Sequence, residues 1–141
     1  PTEFAPLFTA LAAWLSVGDG KARAQASQAL TSFSLGGLAC KSDKGEDAWL
    51  LPLVLMAKSG YEDVNRLCLE CLGRVLERHE LHPAGWKSVL EVLGLLLRVE
   101  AISLPVLRTC FALLKVICTD HLATLPIDSC LVPLVDLLSI I

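Results

Sequence analysis

The sequence predicts an all-α fold, an α-solenoid of antiparallel helix pairs, from three observations. Apolar residues recur at helical spacing with no convincing period-two alternation. One apolar stripe occurs three times at a step of about 42 residues, and a proline marks most of the helices between.

Glycine and proline punctuation divides the chain into predicted helices over residues 3–16, 20–36, 48–59, 62–79, 83–98, 103–119 and 128–141. The first opens in "EFAPLFTAL", with Pro6 followed by Leu7 and Phe8. The second carries Ala22, Gln25, Ala26, Ala29, Leu30, Phe33 and Ser34 and stops at the glycine pair Gly36 and Gly37. The third, in "DAWLLPLVLM", takes Asp47 as N-cap and holds Pro52 just beyond its first turn. The fourth has the clearest stripe, Val64, Leu67, Cys68, Cys71, Leu72, Val75 and Leu76, in the order i, i+3, i+4, i+7, i+8, i+11, i+12. The fifth starts at Pro83, a residue suited to the first helical position because its missing N–H would be unpaired there anyway. In the sixth the stripe returns one repeat step on as Val106, Thr109, Cys110, Leu113, Leu114, Ile117 and Cys118. The seventh, in "DSCLVPLVDL", repeats the third, with Asp128 as N-cap and Pro133 over Pro52.

A helix pair of this period, bent by proline in its first member, falls in the range of HEAT repeats rather than three-helix armadillo units. The expected organisation is a single segment of about 3.5 repeats, over residues 1–41, 42–82, 83–125 and 126–141. Each pair cannot bury its faces alone, so neighbour interfaces carry the stability. Both ends read as cut from a longer protein and should expose apolar surface, worst at Cys130, Leu131, Leu134, Leu137 and Leu138.

Composition narrows the function. The chain is 54% hydrophobic, yet its longest apolar run, Ala48 to Ala57, is shorter than the roughly 18 residues a membrane span needs. Net charge is −3, from 12 basic and 15 acidic residues, with the basic ones scattered; a nucleic-acid binder would show a basic stripe. Six cysteines in a chain with ample core point to a reducing, cytosolic compartment rather than a disulfide scaffold.

The stretch "NRLCLECLGRVLERHELH" offers Cys68, Cys71, His79 and His82 as a zinc motif. Geometry argues against it. Eight residues of continuous helix separate Cys71 from His79 by about 12 Å, whereas zinc holds its ligands at roughly 2.0 to 2.3 Å. Both cysteines also stand on the core stripe, where a thiol serves as a small hydrophobe. No serine or cysteine has a credible base and orienting acid, so an enzyme is not expected, nor a metal or cofactor. His79 and His121 are equivalent positions near second-helix ends, where an imidazole suits the helix dipole. Trp86 leads an apolar face and is expected in the core, with its indole N–H needing a partner if fully buried. The polar "ACKSDKGED" at 39–47 reads as a solvated connection. Arg66 and Arg108 coincide at the repeat step on the stripe's flank. They are either solvated or paired with inter-repeat acids or a partner's carboxylates. With Asp120 they are the candidate partner-binding residues.

In "LHPAGWKSVLEVLGLLLR" and "LPVLRTCFALLKVICTDHLATLP", four features carry a family likeness: the Gly85-Trp86 entry, Arg108 with Phe111, the Thr119-Asp120 pair and the Leu125-Pro126 exit. These resemble the helical region downstream of the catalytic domain in large Arf guanine-nucleotide exchange factors. The likeness is nearest to the Mon-two (monensin-sensitivity) family, relatives without that domain, and covers roughly residues 47–130. It implies a large cytosolic HEAT-repeat scaffold, peripheral on trans-Golgi network and endosome membranes, acting in endosome-to-Golgi traffic. The implied partners are a Dopey-family protein, an Arf-like small GTPase and a phospholipid flippase. The alternative is a regulatory downstream segment of a true Arf exchange factor. No part of this chain matches the exchange domain.

Overall fold

The computed structural model of the chain describes residues 5–15, 17–39, 46–78, 81, 83–98, 103–121 and 127–140. Its elements are all α-helices: α1 (Ala5–Trp14), α2 (Gly20–Ala39), α3 (Glu46–Ala57), α4 (Glu62–Arg78), α5 (Pro83–Leu97), α6 (Leu104–Asp120) and α7 (Ile127–Ile140). The odd-numbered helices touch one another in chain order, and so do α2, α4 and α6. Contacts of α1 with α2, of α2 and α4 with α3, and of α5 with α6 join the two rows.

The buried residues lie between the rows. Ala26, Cys68 and Cys110 are 5%, 0% and 0% exposed, and Leu30, Leu72 and Leu114 are 0%, 0% and 2%. These are the stripe positions that recur at each repeat step. Each fully buried leucine contributes on the order of 2 kcal/mol over leaving it in water. α4 buries Leu69 as well, a residue off the stripe, because α6 flanks that side.

Several expectations need correction. α2 does not end at the glycine pair but runs through it to Ala39. The reason is a close approach: a Cβ built on Gly37 would overlap the Trp49 ring of α3. Glycine there makes room for an indole, a need that outweighs its poor helix propensity of about 1 kcal/mol. Asp47 and Asp128 are not N-caps, since α3 starts at Glu46 and α7 at Ile127. The seventh helix also faces the other way from expectation: Leu134 and Leu137 are buried where α7 packs on α5, while Val132 and Val135 are exposed. Side chains of Cys130, Leu131 and Leu138 lie outside the described residues.

Trp86 is buried as expected, but its indole N–H meets no acceptor among the described residues. Its ring lies against that of His121, with centroids 5.4 Å apart. His121 caps α6 by donating its backbone N–H to the Ile117 carbonyl at 3.1 Å. Trp14, by contrast, is exposed.

Candidate functional site

The cysteines of the zinc-like motif are core residues. Cys68 is sealed between the rows, its Sγ 3.3 Å from the Leu53 carbonyl. Burial pushes its pKa far up, helped by the neighbouring Cys71 and Cys110 thiols. Burial likewise raises Cys71 to about 11, against a lowering pull from Arg74, and Cys110 to about 11. A thiol is a nucleophile and metal ligand only as thiolate, and these three are held in the neutral form. His79 and His82 lie outside the described residues. Among the described residues no three His, Cys, Asp or Glu side chains are grouped as a metal would require.

The most elaborate polar arrangement escaped the sequence reading. Arg23, near the start of α2, donates from Nη1 to the Val17 carbonyl at 2.7 Å and from Nε to Asp63 of α4 at 3.1 and 3.3 Å. Its Cζ lies 3.9 Å from the centroid of the Tyr61 ring. Beside it, Ser59 Oγ donates to the Leu15 carbonyl at 3.0 Å and accepts the Tyr61 N–H at 3.3 Å. Asn65 stands one repeat step after Arg23 and serves the next helix pair in the same way. Its Nδ2 donates to the Met56 and Ser59 carbonyls at 3.0 and 3.2 Å. In both cases a donor at the start of an even helix bonds carbonyls at or just past the end of the helix before, where the helix's own hydrogen-bond ladder runs out. The next position is Leu107, which has no donor to offer. Two polar donors one repeat step apart were the available signal.

The candidate partner-binding residues lie on the outside. Arg66 on α4 and Arg108 on α6 are exposed, as is Asp120 at the end of α6. α4 and α6 pack directly on each other, so the two arginines stand on neighbouring helices, whose axes in such packing are about 8 to 10 Å apart. Neither makes an ion pair among the described residues. Glu62 of α4 accepts from Ser103 Oγ at 3.0 Å, which ties the start of α6 to α4. Between α5 and α7 lies an open cleft of about 320 Å³, apolar at Pro133 and Leu137 and charged at Lys87, Glu91, Arg98 and Asp136. Two cations and two anions give that cleft no net preference for a charged ligand.

Among the described residues no helix is long and apolar enough to cross a membrane. Comparison with protein-family models, with curated proteins and with solved structures found no match to this chain.

Proposed function

We propose that the chain is a segment of a HEAT-like α-solenoid, a non-catalytic scaffold in endosome-to-Golgi traffic that works by presenting a long helical surface to protein partners. The observation that carries the architecture is the recurrence of burial at the repeat step, from Leu30 to Leu72 to Leu114, on helices that touch in chain order. A stack of this kind gains stability from neighbour interfaces and leaves one face free. The resemblance to the Mon-two family supplies the cellular setting: peripheral attachment to trans-Golgi and endosome membranes, with a Dopey-family protein and an Arf-like GTPase as partners.

Arg66, Arg108 and Asp120 are the residues proposed to meet a partner. The two arginines are exposed, without ion pairs among the described residues, and one repeat step apart. The test is affinity capture from cytosol and Golgi-membrane extract with the chain and with its Arg66→Glu/Arg108→Glu form. Recovery of a Dopey-like protein or Arf-like GTPase, lost on reversal while the helical circular dichroism survives, is the expected result. Return of chaperones alone from both forms counts against the reading.

A further inference from the structure

Cys68 and Cys71 stand one helical turn apart on α4, yet the packed chain sends their thiols to different neighbours. Cys68 Sγ donates to the Leu53 carbonyl of α3 at 3.3 Å, while Cys71 Sγ points to the Thr31 carbonyl of α2 at 4.0 Å. Both side chains are sealed, at 0% and 3% exposure. Residues three apart on a helix keep their Cβ atoms about 5 to 6 Å apart, whereas a disulfide needs them at about 3.5 to 4.5 Å. A bridge between these thiols therefore requires α4 to unwind at that turn and both side chains to leave their carbonyls. The closed stack excludes it. Cys110 is no easier a partner for Cys68, because it holds the equivalent position on α6. Packed helix axes lie about 8 to 10 Å apart, beyond the roughly 7 Å between Cα atoms that a disulfide can span.

The cover over α4 is unequal on its two flanks. Against α6, Leu69 and Leu76 are 1% and 2% exposed. Against α2 the stripe is small, and its Ala22, Ala29 and Phe33 are only half-buried. The Ser27 and Ser34 hydroxyls of α2 are also buried without a partner among the described residues. A contact with little apolar area and unpaired buried hydroxyls is where local opening costs least. Lifting α2 uncovers Cys71 first, since α3 still holds Cys68. Burial is what keeps the Cys71 thiol neutral, and the Arg74 charge pulls the other way. Once water reaches the thiol the burial effect goes and the pull of Arg74 stays, so Cys71 becomes the reactive thiolate.

We propose that Cys71 and Cys68 form a redox switch gated by the α2–α4 contact, with hydrogen peroxide as its oxidant. The Cys71 thiolate attacks a peroxide oxygen and the O–O bond breaks, leaving Cys71 sulfenic acid and hydroxide. The Cys68 sulfur then attacks the Cys71 sulfur. The S–S bond forms, the S–O bond breaks, and the departing oxygen leaves as water with the Cys68 proton. Over both steps two thiols give up two hydrogens with their electrons, and one peroxide becomes two waters. The bridged turn of α4 cannot rewind, so α2 and α3 cannot close on it, and the stack stays open until a thiol reductant cuts the bridge.

The test holds the intact chain in urea below its unfolding transition and adds hydrogen peroxide. Free thiols are then blocked with iodoacetamide, and the tryptic segment from Leu67 to Arg74, which contains both cysteines, is weighed. The bridged form, lighter by two hydrogens, should appear at least roughly tenfold faster than in buffer without urea. Returned to buffer, the bridged chain should lack part of its helical circular dichroism until dithiothreitol restores it. Arg23→Met loosens α2 from Asp63 of α4 and should speed bridging severalfold. Leu137→Ala, which weakens the chain at α7, should not. Cys68→Ala should stop at the sulfenic acid of Cys71, which dimedone labels. Full helicity in the bridged chain, a bridge to Cys110 instead, equal acceleration by Arg23→Met and Leu137→Ala, or no bridge at all overturns the inference.

Discussion

Two joints in the molecule use the same register and different chemistry. Where α1 and α2 meet α3 and α4, Arg23, Ser59 and Asp63 bridge the helix ends. Where α3 and α4 meet α5 and α6, Ser103 with Glu62 is the polar link the structure describes, and apolar contact does the rest. The side chains on the stripe explain the contrast. At matching stripe positions α2 brings Ala22, Ala26, Ala29 and Ser34, while α6 brings Val106, Cys110, Leu113 and Cys118. Small residues bury less apolar area and leave less hydrophobic free energy at the first joint. The Ser27 and Ser34 hydroxyls are moreover buried without a partner among the described residues. Hydrogen bonds to backbone carbonyls offset some of that deficit, at about 1 kcal/mol each.

Alkaline pH should give the largest effect and acts on both joints, since Cys71 faces α2 and Cys110 lies on α6. An ordinary thiol titrates at 9.0, the value expected in the unfolded chain, and folding raises Cys71 and Cys110 to about 11. The folded chain therefore holds protons that the unfolded chain releases. Stability is full below pH 9 and is lost as pH climbs through 11, by on the order of 2 kcal/mol per thiol. Urea denaturation across this range should show the loss, and replacing Cys68, Cys71 and Cys110 together by alanine should flatten it. An unchanged slope in that variant would remove the thiols as the cause.

Leu72→Ala should cost about 3 kcal/mol, the range for a leucine sealed in a core. A loss below about 1 kcal/mol in urea denaturation would mean that α4 is not the shared core of both joints. Gly37→Ala should cost about 2 kcal/mol despite its gain in helix propensity, because the methyl group meets the Trp49 ring. Trp49→Leu in the same chain should recover most of that, measured by thermal melting.

The polar joint gives the smallest effects. Arg23→Met should cost roughly 1 to 2 kcal/mol, the worth of its bond to the Val17 carbonyl plus its contact with Tyr61. Asp63→Asn should cost under about 1 kcal/mol, since Asp63 is 47% exposed and water screens the pair. Equal losses in the two variants would show that the ion pair, not the carbonyl bond, holds the joint.

The seven helices of the described residues and the core stripe could be read from the sequence because 3.6-residue periodicity records burial directly. What escaped it depends on contacts between distant residues. Gly36 and Gly37 look like a stop signal until an indole from α3 is seen to need the space. Arg23 and Asn65 are unremarkable polar residues until the carbonyls they satisfy are placed beside them. On α7, apolar residues lie on more than one side of the helix, so periodicity could not choose between Leu134 with Leu137 and Val132 with Val135. Of the candidate site, the spacing of Arg66 and Arg108 was visible in sequence, while their exposure on neighbouring packed helices needed the structure.

The tryptophans turn the two joints into optical reporters. Trp49 lies in the first joint, over Gly37, and Trp86 in the α5–α6 pair that forms one side of the second, against the His121 ring, while Trp14 is 54% exposed and already samples water. With Trp14 replaced by phenylalanine, single-tryptophan versions of the chain would emit from one joint at a time. The order in which their spectra shift to the red on denaturation would time the opening of each joint, without any dye attached.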